Sequence, residues 1–127
     1  MQEKKKILLV EDDDALSGVY KSRLEMEGFN VLEVNNGEKA LVAVVEFKPD
    51  LILLDAMMPK MSGFDVLDTL RNTPGPLSQT RVIMLTALSQ PKDKELAQSM
   101  GVSDYLVKSQ VAIGEVVERI KRILGTK

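Results

Sequence analysis

The sequence predicts an α/β domain in which a parallel sheet is covered by helices on both faces. Two observations predict it. Short continuous apolar runs stand at Ile7–Val10, Leu51–Leu54, Val82–Leu85 and Tyr105–Val107, with an alternating run at Val31–Val34. Runs of that kind fit strands buried on both sides rather than on one. Between them lie longer stretches with apolar residues at helical spacing, so five strands alternate with five helices.

The elements follow in order. After the first strand, Leu16, Val19, Tyr20, Leu24 and, less cleanly, Met26 repeat at three and four residues, and Gly28 terminates the helix. Ala40, Leu41, Val44 and Val45 repeat after Asn35-Asn36-Gly37, and Pro49 closes that segment. Phe64, Leu67 and Leu70 mark a third helix capped by Ser62. The stretch 72–80, with Pro74-Gly75-Pro76, reads as the longest loop. Pro91 sits where a first helical turn tolerates it, and Leu96 and Met100 lead to Gly101, giving a fourth helix over 90–100. Ile113, Val116, Val117, Ile120, Ile123 and Leu124 form the clearest amphipathic stripe, with Ser109 expected as its cap.

Composition narrows the chemistry. The chain has 127 residues, 44% hydrophobic and 28% charged, which suits one domain (1–127, with a core of about 5–125). Its net charge of −2 supplies no cationic field for nucleic acid, so no direct nucleic-acid partner is expected. There is no Cys, His or Trp. That excludes disulfides, thiolate nucleophiles, imidazole ligands and histidine-based triads, leaving carboxylates, hydroxyls, amines and backbone groups. Lys4, Lys5 and Lys6 precede only a four-residue apolar run, too short for a signal peptide or a span of about 20 residues. A cytoplasmic protein without a membrane partner is expected.

In sheets of this class, ligands gather outside the carboxyl ends of the strands where strand order reverses. The first run ends in Glu11-Asp12-Asp13-Asp14, the third at Asp55, the fourth at Thr86 and the fifth at Lys108. Each residue also has an ordinary structural reading: Asp13 or Asp14 as the cap of the first helix, Asp55 as a turn residue, Thr86 bonded to backbone, Lys108 in solvent. Four suitable residues at four strand ends weaken that reading. Convergent carboxylates repel unless a cation offsets them, and with oxygen ligands throughout the cation is Mg²⁺, with Mn²⁺ as a substitute.

Such an edge supports attack by a carboxylate on a phosphoryl group, which requires in-line placement and charge neutralisation and no general base. Asp55 is the expected nucleophile. Asp12 and Asp55 would hold the cation directly, Glu11 through water, together with a backbone carbonyl near Met57. Lys108 would pair with a phosphoryl oxygen and Thr86 would donate its hydroxyl to another.

The ordered segments Ile7-Leu8-Leu9-Val10-Glu11-Asp12, Pro49-Asp50-Leu51-Ile52-Leu53-Leu54-Asp55, Met58-Pro59, Ser62-Gly63, Thr86-Ala87, Gly101 with Asp104-Tyr105, and Lys108 resemble the receiver domain of two-component response regulators, chemotaxis regulators included. The resemblance implies a flavodoxin-like (βα)₅ fold of strand order 2-1-3-4-5. It implies Mg²⁺-dependent phosphorylation of Asp55 by a partner histidine kinase, a phosphotransfer protein or a small phosphodonor. Glu11 and Asp12 match the family's metal-serving acids, Thr86 and Lys108 its phosphoryl-binding pair, and Tyr105 its aromatic switch. A downstream protein would meet the face made by the fourth helix, fifth strand and fifth helix. Tyr105 as an aromatic packed at a sheet edge is the plain structural alternative.

Three departures carry expectations. Ser109 follows the lysine where the family commonly has a proline, so the following loop loses a locked turn. Met57 and Leu88, two residues after Asp55 and Thr86, are apolar and are expected to exclude hydrolytic water. The proline-flanked loop is longer than common and is either partner-facing or merely tolerated. Competing readings are a phosphorylation-independent interaction module, against which Asp12, Asp55, Thr86 and Lys108 together speak, and an aspartyl-phosphate phosphatase, which would want an acid at Met57. Nucleotide-binding glycine motifs are absent. No turnover enzyme is expected. The chain stops at Lys127 after the fifth helix, which fits either a stand-alone regulator or a fragment of a longer one. A monomer or a weak phosphorylation-dependent dimer is expected, with Lys92, Asp93, Lys94, Glu95, Glu118, Arg119 and Arg122 forming either a charged dimer face or an ordinary solvated one. Removing Lys108, a single cation among acids, is expected to harm folding little.

Overall fold

The structure, a computed structural model, describes residues 3–126; the ends of the expected 1–127 domain lie outside them. Five parallel strands form one sheet in the order β2-β1-β3-β4-β5. The strands are β1 (Lys6–Val10), β2 (Asn30–Val34), β3 (Leu51–Leu54), β4 (Arg81–Thr86) and β5 (Asp104–Val107). The helices are α1 (Asp14–Met26), α2 (Gly37–Phe47), α3 (Gly63–Asn72), α4 (Pro91–Ser99) and α5 (Ile113–Leu124). This is the flavodoxin-like arrangement expected of the sequence.

The alternating direction of strand side chains builds two cores. On one side Ile7, Leu9, Leu51, Leu53, Ile83 and Leu85 pack with Tyr20 and Leu24 of α1 and with Val116, Val117 and Ile120 of α5. On the other, Leu8, Val10, Ile52, Leu54, Val82 and Met84 meet Ala40 and Val44 of α2, Val66, Leu67 and Leu70 of α3, and Ala97 of α4. The three central strands are buried along nearly their whole length, which is why they read as continuous apolar runs.

Local chemistry sets the helix starts. Asp13 caps α1 by accepting from Leu16 N–H at 3.1 Å, and Asn36 caps α2 by accepting from Lys39 N–H at 2.9 Å. Ser62 and Asp65 form a reciprocal capping box on α3. Pro91 opens α4, and Gly125 closes α5 in the left-handed region.

The structure corrects several element-level expectations. Ser109 does not cap α5: it lies in a 3-10 turn over Lys108–Gln110, and the position before Ile113 is Ala112, which has no capping side chain. Ser109 stands three positions before the cap position Ala112, about one turn too early, because strand β5 runs straight into the 3-10 turn. The peptide bonds among the described residues are all trans, the Lys108–Ser109 bond included. Residues 72–80 are not wholly loop, since Pro76–Gln79 forms a 3-10 turn. Val19, Met26, Val45 and Leu96 are exposed rather than core-facing. In α1 the inward stripe keeps the expected Tyr20 and Leu24, with Leu16 packed beside them, and adds Ser17 in place of Val19.

Candidate phosphoryl-acceptor site

Strand register brings the candidate residues to one edge. Val10 is level with Leu54, and Leu54 with Met84, while Thr86 is level with Val107. Glu11, Asp55 and Lys108 each follow their strand immediately, and Thr86 ends its own. The sheet order reverses between β1 and β3, so Glu11-Asp12 and Asp55 flank the crevice where ligands of this fold class sit.

Asp55 and Glu11 are almost wholly buried, Thr86 is fully so, and Asp12 is exposed. The Lys108 ammonium donates to Glu11 Oε1 at 2.6 Å and to Asp55 Oδ2 at 3.1 Å. The second oxygen of Asp55, Oδ1, accepts from Met57 N–H at 3.0 Å, so both carboxylate oxygens are anchored and the group's rotation is fixed. Glu11 Oε2 accepts from Asp13 N–H at 3.1 Å. Burial pushes the Glu11 carboxyl up to about 7, with the charge of Asp55 adding to it, against the opposing bonds from Lys108 and Asp13 N–H. Burial pulls the Lys108 ammonium down, but the bond to Glu11 and the charges of Asp55 and Glu11 outweigh it and hold the group above the usual lysine range.

One carboxylate oxygen from each of Glu11, Asp12 and Asp55 lies within 4.8 Å of the others. Three such acids against one ammonium leave an excess of negative charge, and every donor is oxygen. This donor set fits a hard divalent cation.

The loop after β3 is shaped by close backbone approach. Gly63 N–H donates to Ala56 O at 3.0 Å, and a Cβ on Gly63 would collide with Asp55 O. Only glycine lets α3 start this close behind Asp55. Its place in the Ser62-Gly63 pair was visible in the sequence; the contact that requires it was not.

The remaining candidates lie around this edge. Thr86 Oγ1 accepts from Leu88 N–H at 3.2 Å. The Tyr105 hydroxyl donates to Leu88 O at 2.8 Å, and its ring is turned inward and buried. The two peptide groups of Leu88 therefore join Thr86 to Tyr105, a link that spacing alone does not reveal. Met57 is about half exposed beside Asp55. Sequence reasoning missed Arg71, which lies at the opposite edge of the sheet and donates to four carbonyls, those of Ser78, Thr80, Met100 and Gly101, at 2.9–3.1 Å.

A parallel sheet of order 2-1-3-4-5 carrying an acidic crevice, a strand-end hydroxyl and a strand-end lysine defines the receiver class of signalling domains. The family model for the response regulator receiver domain matches residues 7–121, and the chain belongs to that family. It is 49% identical over 119 residues to the transcriptional regulatory protein CpxR of Klebsiella pneumoniae subsp. pneumoniae (strain HS11286), covering 94% of this chain and 49% of CpxR. It is 41% identical over 128 residues to the uncharacterized transcriptional regulatory protein YkoG of Bacillus subtilis (strain 168), covering 98% of this chain and 54% of that protein. The chain thus spans about half the length of the curated relatives it matches. Among solved structures it resembles the BeF3-activated N-terminal receiver domain of Klebsiella pneumoniae RstA, with a TM-score of 0.81 and 29% identity over 93% of this chain and 97% of that one. It also resembles a CheY-like receiver domain protein from Methanospirillum hungatei JF-1, with a TM-score of 0.88 and 26% identity over 97% of this chain and 95% of that one. Receiver domains of this family act as regulators. Among the described residues, no helix is long and apolar enough to cross a membrane.

Proposed function

We propose that this domain accepts a phosphoryl group on Asp55 and relays the event to the face formed by α4, β5 and α5. The observation that carries the reading is the Asp55 carboxylate, anchored by Met57 N–H and Lys108 beside two further acids at the sheet's switch point. An Asp55 oxygen attacks the phosphorus, forming a P–O bond as the donor's bond to phosphorus breaks and its electron pair leaves with the donor. Met57 N–H holds the carboxylate in one orientation for that attack. Lys108 transfers its ammonium from the carboxylates to a phosphoryl oxygen. When bound by Glu11, Asp12, Asp55 and the Met57 carbonyl, Mg²⁺ (or Mn²⁺) supplies neutralisation of charge on the transferring oxygens.

Thr86 then exchanges its contact with Leu88 N–H for a bond to a phosphoryl oxygen. Because Leu88 O receives the Tyr105 hydroxyl, that movement reaches Tyr105 on β5 and so the output face. The RstA relative, activated by BeF3, supports the reading, since that fluoride imitates a phosphoryl group.

The donor is a sensor histidine kinase, a phosphotransfer protein or a small phosphodonor, because this chain has no histidine of its own. The target is a downstream protein, and the setting is cytoplasmic. An aspartyl-phosphate phosphatase fits less well: the exposed side chain two residues after Asp55 is the thioether of Met57, which cannot serve as acid or base.

The adduct is an acyl phosphate, so neutral hydroxylamine releases it; a hydroxylamine-stable adduct contradicts the assignment. Its lifetime is governed by what borders it. Met57→Asn with Leu88→Glu, which bring polar groups that can orient water, are expected to shorten the lifetime by roughly tenfold or more. Loss of label from purified protein measures this, and faster loss from wild type than from the double variant contradicts it.

A further inference from the structure

We infer that α2 and the edge strand β2 form a self-association surface on which a second copy of this chain docks antiparallel, independently of phosphorylation. Beside β2, Leu32, Val34, Val42 and Ala43 line a shallow groove of about 420 Å³, rimmed by Glu38, Lys39 and Glu46. Val42 is 57% exposed and Leu32 is 37% exposed, so an apolar strip lies open to water at the margin of the sheet. The adjacent Val45 is equally open. Most other exposed large apolar residues are scattered over other elements, and scattered ones need no explanation. A contiguous apolar strip with a charged rim marks an interaction surface.

The charge pattern selects the occupant. Lys39 and Glu46 are seven residues apart, so they stand on one side of α2 about 10.5 Å apart along its axis. Val42 lies between them. If a second copy lays its α2 antiparallel across a twofold axis midway between Val42 and Ala43, Lys39 of each copy meets Glu46 of the other. The same register sets Val42 against the apolar strip of the copy and brings Glu38 level with Phe47 and Lys48. One self-complementary surface thus pairs the Lys39 and Glu46 rim charges twice, as a twofold interface requires. Neither Lys39 nor Glu46 has an ion-pair partner among the described residues of its own chain, so both are free to make these contacts.

The Glu33 carboxylate of β2 is engaged on the opposite face, where it accepts from the Ser17 hydroxyl of α1 at 2.6 Å and lies 3.9 Å from the Lys21 ammonium, so the groove side of β2 is left to Leu32 and Val34.

The test is sedimentation velocity of the purified chain over a concentration series, with circular dichroism to verify folding. Wild type, and Asp55→Asn alike, should form a dimer as concentration rises. Val42→Glu should leave only monomer. Lys39→Glu alone and Glu46→Lys alone should each raise the dissociation constant about tenfold or more by setting like charges opposite. The double variant Lys39→Glu with Glu46→Lys should restore the wild-type value. Lys39, Val42 and Glu46 are all exposed, so folding is expected to survive their replacement. A chain monomeric at every concentration overturns the inference. So does a dimer indifferent to Val42→Glu, or charge variants whose combination fails to restore association.

Discussion

Lys108→Ala should accept a phosphoryl group and yet fail to carry the response to the output face. Among the described residues the Lys108 ammonium is the only cation bonded to Asp55, and it also holds Glu11. After transfer it is the group able to follow the phosphoryl oxygens and hold the loop in its altered state. Amide chemical shifts over 86–105, recorded with and without phosphorylation, read this directly. Wild type should move throughout the segment and Lys108→Ala should move only near Asp55; the full wild-type pattern in the variant contradicts the mechanism. The same substitution also bears on folding. A lone cation among acids looks dispensable in sequence, but its bonds at 2.6 and 3.1 Å join two nearly buried carboxylates. Removing it leaves them facing each other, at a loss of about 1–3 kcal/mol once the lysine's partial exposure is allowed for. Recording both proteins well below their melting temperatures, where each is fully folded, separates the two effects.

Arg71→Lys should be the costliest conservative change in the chain. Arg71 stands near the end of α3, and its guanidinium donates to Met100 O at 2.9 Å, Gly101 O at 3.0 Å, Ser78 O at 3.1 Å and Thr80 O at 2.9 Å. One planar fork therefore ties α3, the 3-10 turn and the α4–β5 turn together. Burial pulls the guanidinium below its ordinary range, and no carboxylate among the described residues pairs with it. Lysine keeps the charge but presents a point donor, so it can satisfy one or two of those carbonyls. A loss of about 3 kcal/mol follows from abandoning charge-assisted bonds to backbone carbonyls. For a domain of this size that lowers Tm by roughly 10 °C. Phosphorylation of Asp55 should persist, since Arg71 works at the opposite edge of the sheet. A melting temperature within about 1 °C of wild type would show that the four bonds contribute nothing net.

These two residues show what was legible in the chain and what was not. Lys108 could be found because a parallel sheet forces functional groups to strand ends, and a lysine directly after an apolar run is conspicuous. Asp55, Glu11 and Thr86 were visible for the same reason, and strand register converts their sequence positions into neighbours. Arg71 gave no such signal. Its partners are backbone carbonyls up to 30 residues away, and carbonyls carry no residue identity. Ser109 failed as a cap because the choice between a 3-10 turn and a helix start rests on how β5 enters α5, not on residue type. Val19 and Val45 failed as core residues because hydrophobic spacing defines a helix but leaves its rotation to the neighbours that cover it. The cap of α1 is settled as Asp13 by its bond to Leu16 N–H, an alternative the sequence could not resolve between two adjacent aspartates.

The Leu88 peptide is the least expected element of the site. Its side chain suggested only water exclusion, yet its N–H meets Thr86 and its carbonyl receives Tyr105. In this arrangement the Tyr105 ring is already inward, so under the proposed function phosphorylation would act by stabilising that state against others rather than by creating it. On that proposal the output face would be biased by how well Thr86 and Lys108 bind the phosphoryl group, a difference in affinity between two states of one loop.

The central claim is that Asp55 is the phosphoryl acceptor. Intact mass after incubation with acetyl phosphate and Mg²⁺ tests it most directly, with wild type and Asp55→Asn side by side. The account predicts a gain of one phosphoryl group in wild type, abolished by chelation of the metal, and none in Asp55→Asn. No adduct in wild type, or an equal adduct in both proteins, would contradict it.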